Sequence, residues 1–121
     1  MAILENEPEA NRFADFLRRT PDLVMGAPTR FELSMVAFSR KGETGLEVIR
    51  HLLDQYTIEI REWSDSHVSL ALDAFMRFGK GNHAAKLNFG DCMAYALAKS
   101  LDAPLLFKGD DFAKTDVKAA L

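Results

Sequence analysis

The sequence predicts an α/β fold with a mostly parallel sheet. Short apolar runs of strand length alternate with longer segments of helical periodicity, and tight turns join them. No repeat, low-complexity tract or linker interrupts the alternation. Strands joined through helices need crossover connections, which leave neighbouring strands parallel. The 121 residues suffice for one domain, 1–121, with its own core, and not for two.

The elements follow in order. Glu7-Pro8-Glu9 suits a helix start, with proline in the first turn and acids near the positive end of the dipole. Phe13, Phe16 and Leu17 share one face of that helix, and Thr20-Pro21 stops it. Leu23–Met25 reads as a short buried strand, and Gly26–Thr29 as a strand-to-helix turn. Phe31, Met35, Val36 and Phe38 form the apolar side of the next helix, which ends at Lys41-Gly42. A further helix spans about Thr44 to Gln55 with Leu46, Ile49, Leu52 and Leu53 inward, and Thr57–Ile60 alternates as a strand does. Ser64-Asp65 caps a helix carrying Val68, Leu72, Phe75 and Met76, which ends at Gly79. A polar, glycine-bearing loop, Lys80–Leu87, precedes a helix opened by Asn88–Asp91. Pro104–Phe107 reads as a strand, Lys108–Asp111 as a turn, and the tail has room for one more small strand or helical turn.

Several acids fall where such folds bind ligands, beyond the carboxyl ends of the strands. Glu32 and Asp91 each sit near a helix start, where an acid also serves simply to satisfy the dipole. Asn88 is already a cap candidate ahead of Asp91. Asp110 and Asp111 follow a strand, and turn aspartates commonly bond only their local backbone; Asp116 is of the same type. Taken together, carboxylates gathered at one sheet edge repel one another unless a cation lies among them. Mg²⁺ or Mn²⁺ suits oxygen ligands, and phosphodiester hydrolysis is chemistry that uses such a site.

The stretch Lys86-Leu87-Asn88-Phe89-Gly90-Asp91-Cys92-Met93-Ala94-Tyr95-Ala96-Leu97-Ala98 closely resembles the third-acid segment of VapC-type PIN domains. Pro104–Phe112 with Thr115-Asp116 is similar to the strand and turn bearing the fourth acid, and Ala27–Glu32 to the segment with the second. Asn6–Ala10 resembles the start of that family's second helix. The resemblance implies a PIN-like α/β/α sandwich and a Mg²⁺- or Mn²⁺-dependent endoribonuclease toxin. Glu32, Asp91 and Asp111 would be its metal-binding acids, Asp111 being preferred over Asp110 because it directly precedes Phe112, with Asp116 in support. It also implies a homodimer and a cognate VapB-type antitoxin whose tail blocks the acidic groove. At the front the chain departs from the pattern: the family's first strand, central in the sheet, and its aspartate have no counterpart before Glu7-Pro8-Glu9. A misplaced start or a shortened chain is the favoured expectation. The alternative is a decayed, catalytically inactive module that binds antitoxin or RNA without hydrolysis.

The segment Phe75–Gly90 carries Arg77, Lys80, His83 and Lys86 and no acid, so these are the candidate RNA contacts, against the plainer view of a solvated loop. Net charge is −3, with 15 basic and 18 acidic residues, so RNA attraction has to be local. His51 and His67 read as helix residues, and Cys92 as core. The nine phenylalanines read mostly as core, and no base-stacking platform is evident. A lone cysteine permits no internal disulfide, and no apolar run approaches the ~20 residues that span a bilayer. With no signal-peptide pattern at Met1–Glu5, a cytoplasmic location without membrane contact is expected.

Overall fold

A computed structural model of the chain describes residues 10–81, 83–106 and 112–120. The proposed helix start at Glu7-Pro8-Glu9 and the turn acids Asp110 and Asp111 lie outside these residues. The fold is α/β, with four α-helices and a parallel strand pair among the described residues. The chain divides between Arg61 and Glu62 into two compact units, each with its own core.

The first unit runs α1 (Ala10–Arg19), β1 (Val24–Gly26), α2 (Ala27–Gln55) and β2 (Glu59–Arg61). Arg18 and Arg19 in the last turn of α1 complement its dipole. The Thr20 hydroxyl donates to the Phe16 carbonyl (2.6 Å) at the point where Pro21 stops the helix. β1 and β2 pair in parallel with Met25 opposite Ile60, each strand lying one or two residues later than its apolar run suggests. Between them α2 supplies the crossover.

The two helices expected over this stretch meet at Gly42, whose φ of 61° leaves the helical region. In a straight helix, residues eight apart stand about 12 Å apart. Here Gly45 lies directly against the Ala37 carbonyl, so the chain turns back on itself at Gly42. The two arms bury Ala37 against Ile49 and Leu53, with Met25, Leu33 and Ile58 packed around them. Past the end of α2, Thr57 adopts φ 51°, and the Ile58 N–H reaches back to the Leu53 carbonyl (3.0 Å), closing the helix end.

The second unit holds α3 (Asp65–Phe78) and α4 (Phe89–Ser100), which pack on each other, then a short 3-10 turn (Phe112–Lys114). Ser64 caps α3, its N–H donating to His67 Nδ1 (3.0 Å). The segment between the helices is more than a solvated loop: Gly79 and Leu87 form a parallel bridge, and Ala85 and Leu87 are fully buried. The tail does form both a helical turn and a strand contact, since Ala119 bridges Leu105. The expected strand Pro104–Phe107 reduces to that Leu105 contact among the described residues. The core joins Ala74, Phe78, Leu87, Cys92, Tyr95 and Val117.

Two expected inward faces turn out to be exposed. Phe31 (65%), Met35 and Phe38 on α2 stand in solvent, as do Val68, Leu72, Phe75 and Met76 (61%) on α3. On the first arm of α2 the buried position is the small Ala37, and on α3 it is Ala74, with Phe78 at the α3 terminus; the second arm of α2 buries Ile49 and Leu53, as expected. Close approach of backbones selects small residues at the contact, and a large side chain there would hold the elements apart. The phenylalanines are therefore not mostly core: Phe31, Phe38, Phe75 and Phe89 are exposed. Cys92 is buried, as expected.

Candidate functional site

The first unit contributes Glu32. β1 ends at Gly26, α2 begins at the next residue with Pro28 in its first turn, and Glu32 lies early in that helix. Its carboxylate is exposed, and no hydrogen bond or ion pair ties it to another described residue. At the opposite end of the strands, Leu23, Thr57, Arg18 and Tyr56 line a cavity of about 600 Å³. That cavity is not where the strands' carboxyl ends lead.

The second unit contributes Asp91, the third residue of α4. Its N–H donates to Asn88 Oδ1 (2.9 Å), and Asn88 N–H donates to Asp91 Oδ2 (3.0 Å). This reciprocal pair satisfies two backbone donors that a helix start leaves open. Asp91 therefore has a structural role, and the same bond fixes the direction of its carboxylate. A carboxylate has about four lone-pair sites, so one such bond does not exhaust its capacity to accept.

Asp116 sits in a different setting. Its Oδ1 accepts from the Tyr95 hydroxyl (2.5 Å), and its Oδ2 faces Lys99 Nζ (3.2 Å) and an Arg77 guanidinium nitrogen (3.4 Å). Tyr95 is 1% exposed, and a buried phenol needs an acceptor. The bonds join the tail to α3 and α4. Partial burial by itself pushes the Asp116 carboxyl up, but the Tyr95 hydrogen bond and the two cations outweigh it and leave the group below its ordinary value. Burial first, and then the bond to Asp116, push the Tyr95 phenol well above its usual range.

A carboxylate held low stabilises the fold above the ordinary aspartate pKa, and that stability is lost as pH falls through the lowered value. Asp116→Ala should cost about 1–3 kcal/mol at neutral pH, chiefly from the orphaned Tyr95 hydroxyl. Asp116→Asn should lose less, and its gap to the wild type should start to close below about pH 4 and vanish as pH falls through the lowered value. Urea unfolding across pH checks this; a constant gap between the two proteins would show that the carboxylate charge plays no part.

The four candidate RNA contacts differ in how far they are committed. Arg77 pairs with Asp73 (3.2 Å) and Asp116 and lies over the Phe78 ring (4.6 Å). His83 packs edge-on against Phe78, and its Nδ1 accepts from Ala85 N–H (2.9 Å). Lys80 and Lys86 are exposed, with no ion pair to a described residue. The Tyr95–Asp116 bond escaped sequence reasoning; its one signal was a phenol inside the apolar run Cys92–Ala98.

Among the described residues, no three metal-ligating side chains converge. Glu32 and Asp91 lie in separate units, and Asp111 is outside the described residues. The donor set is carboxylate oxygen throughout, the chemistry that Mg²⁺ or Mn²⁺ takes.

The family model for the PIN domain matches residues 1–118. A VapC ribonuclease of Mycobacterium bovis is 36% identical over 119 residues, covering 98% of this chain and 86% of the relative. Ribonuclease VapC42 of Mycobacterium tuberculosis is 36% identical over 121 residues, covering 99% and 92%. A ribonuclease VapC of Mycolicibacterium smegmatis is 38% identical over 119 residues, covering 98% and 92%. A match of this extent and identity, on an α/β fold with a parallel strand pair, establishes that the chain belongs to the PIN-domain family.

Proposed function

We propose that this chain is a metal-dependent endoribonuclease of the VapC kind, the toxin of a toxin–antitoxin pair. The observation that carries this is identity of 36–38% to VapC ribonucleases over nearly the whole chain. Glu32, Asp91 and Asp111 hold Mg²⁺ or Mn²⁺, with Asp110 as a neighbour to the last. A bound divalent ion of this type polarises the phosphate and lowers the pKa of water. Asn88 holds Asp91 in place, and Glu32 presents a carboxylate that no described residue engages. Asp116 has its oxygens engaged by Tyr95, Lys99 and Arg77, so it acts by bracing the tail. Lys80 and Lys86 are the cations available to RNA phosphates, with Arg77 and His83 behind them.

The exposed apolar faces of α2 and α3 support a homodimer and a VapB-type antitoxin partner, since soluble monomers rarely leave such stripes open. Among the described residues, no helix is long and apolar enough to cross a membrane. Cytoplasmic RNA is the proposed substrate. The test is incubation of the chain with single-stranded RNA and Mn²⁺ or Mg²⁺. Internal cleavage that chelation stops is expected. RNA binding without cleavage at any metal concentration would favour the non-hydrolysing module instead.

A further inference from the structure

Phe89, the first residue of α4, is 81% exposed, more than any other large apolar side chain among the described residues. No described residue engages it in a ring or cation–π contact. Asp91 lies two residues along, and the buried Cys92 three. A second element reaches the same place. The Gly79–Leu87 bridge, with Lys80 N–H donating to the Leu87 carbonyl (2.9 Å), sets Lys80 alongside Leu87 and Asn88. Lys86 stands exposed three residues before Phe89. An open aromatic ring, two exposed lysines with no ion pair to a described residue and the acid Asp91 thus lie within a few residues of the start of α4, along the chain or across the Gly79–Leu87 bridge. Packing does not account for this ring: it forfeits the burial that Leu87 and Cys92 enjoy.

We propose that Phe89 is a stacking platform for an unpaired base of single-stranded RNA, with Lys80 and Lys86 holding the flanking phosphates. This rests on the ribonuclease function above and goes further, assigning the residue that sets the substrate's register beside Asp91. A π-face flanked by cations is what a single strand needs, because every base has a face to stack and every linkage a charge. A duplex offers no open base face. A protein partner would not call for lysines around the ring, since lysine is depleted at protein–protein interfaces.

The test is fluorescence anisotropy of a labelled single-stranded RNA with the full chain, in chelator so that nothing is cut. Because Phe89 is exposed, its variants should unfold at the wild-type temperature. Phe89→Ala and Phe89→Leu should each weaken binding about tenfold, and Phe89→Trp should retain it. Lys80→Gln and Lys86→Gln should each reduce the slope of log affinity against log salt by about 0.7. RNA binding indifferent to Phe89, or Phe89→Leu binding as well as Phe89→Trp, overturns the platform alone. Absence of RNA binding by the unaltered chain overturns the platform and the ribonuclease assignment together.

Discussion

Asp91→Asn is expected to lower ribonuclease activity at least about a hundredfold while leaving the fold in place, since even residues that merely support metal ligands cost 10–100-fold when changed. On the proposed reading Asp91 has two roles, cap and metal ligand, and asparagine separates them. As the third residue of α4, it accepts the Asn88 N–H through Oδ2. An asparagine side chain keeps one acceptor oxygen for that bond. What it loses is the charge, worth roughly 0.3–1 kcal/mol at a helix N-terminus. A metal ligand suffers far more from the same change, because a neutral amide is a poor donor to a hard cation. Thermal unfolding and RNA cleavage measured on the same preparation decide it. Activity and stability falling together would make the cap the whole role of Asp91, and unimpaired activity would remove it from the site.

Gly45→Ala should lower the unfolding temperature by about 10 °C, from an overpacking cost of about 2–3 kcal/mol. A methyl group at Gly45 would fall within contact of the Ala37 carbonyl oxygen and 2.7 Å from the Ala37 carbonyl carbon. Both blocking atoms are backbone, so no side-chain rotation makes room. Alanine's better helix propensity returns up to about 1 kcal/mol, which is less than the clash costs. The substitution therefore tests the turn at Gly42 that brings the two arms of α2 together. Calorimetric unfolding at or above the wild-type temperature would mean that the arms do not approach as described. Glu32 rides on the first arm, so its placement depends on this contact.

Local chemistry carried most of the element plan. Pro21, Gly42, Ser64, Gly79 and Asn88 each impose or end a backbone conformation within a few residues of themselves, and each does so here where its type demands. The helix-start acid Asp91 and its cap Asn88 were readable for the same reason: their bond spans three residues.

Of the helix faces, the one with Leu46, Ile49, Leu52 and Leu53 was readable, and two others were not. Helical spacing places Phe31, Met35 and Phe38 on one stripe, and Val68, Leu72 and Phe75 on another, but it cannot say which side meets a neighbour. The structure buries Ala37 and Ala74, because these elements approach closely enough that only small side chains fit between them. Phe89 shows the same limit. It sits three residues before Cys92 and so counts as core by periodicity, yet it stands beyond the packed part of α4.

By itself, then, the sequence determined the α/β class, the order of the helices, the Asn88–Asp91 cap and the PIN-domain resemblance. Only the tertiary structure decided which faces are covered, that Asp116 answers the buried Tyr95 hydroxyl, and that Lys80 pairs with Leu87. The first group depends on interactions within one turn of chain. The second depends on pairings across 7 to 39 residues, from Lys80 with Leu87 to Arg77 with Asp116, whose partners the chain's own fold must select.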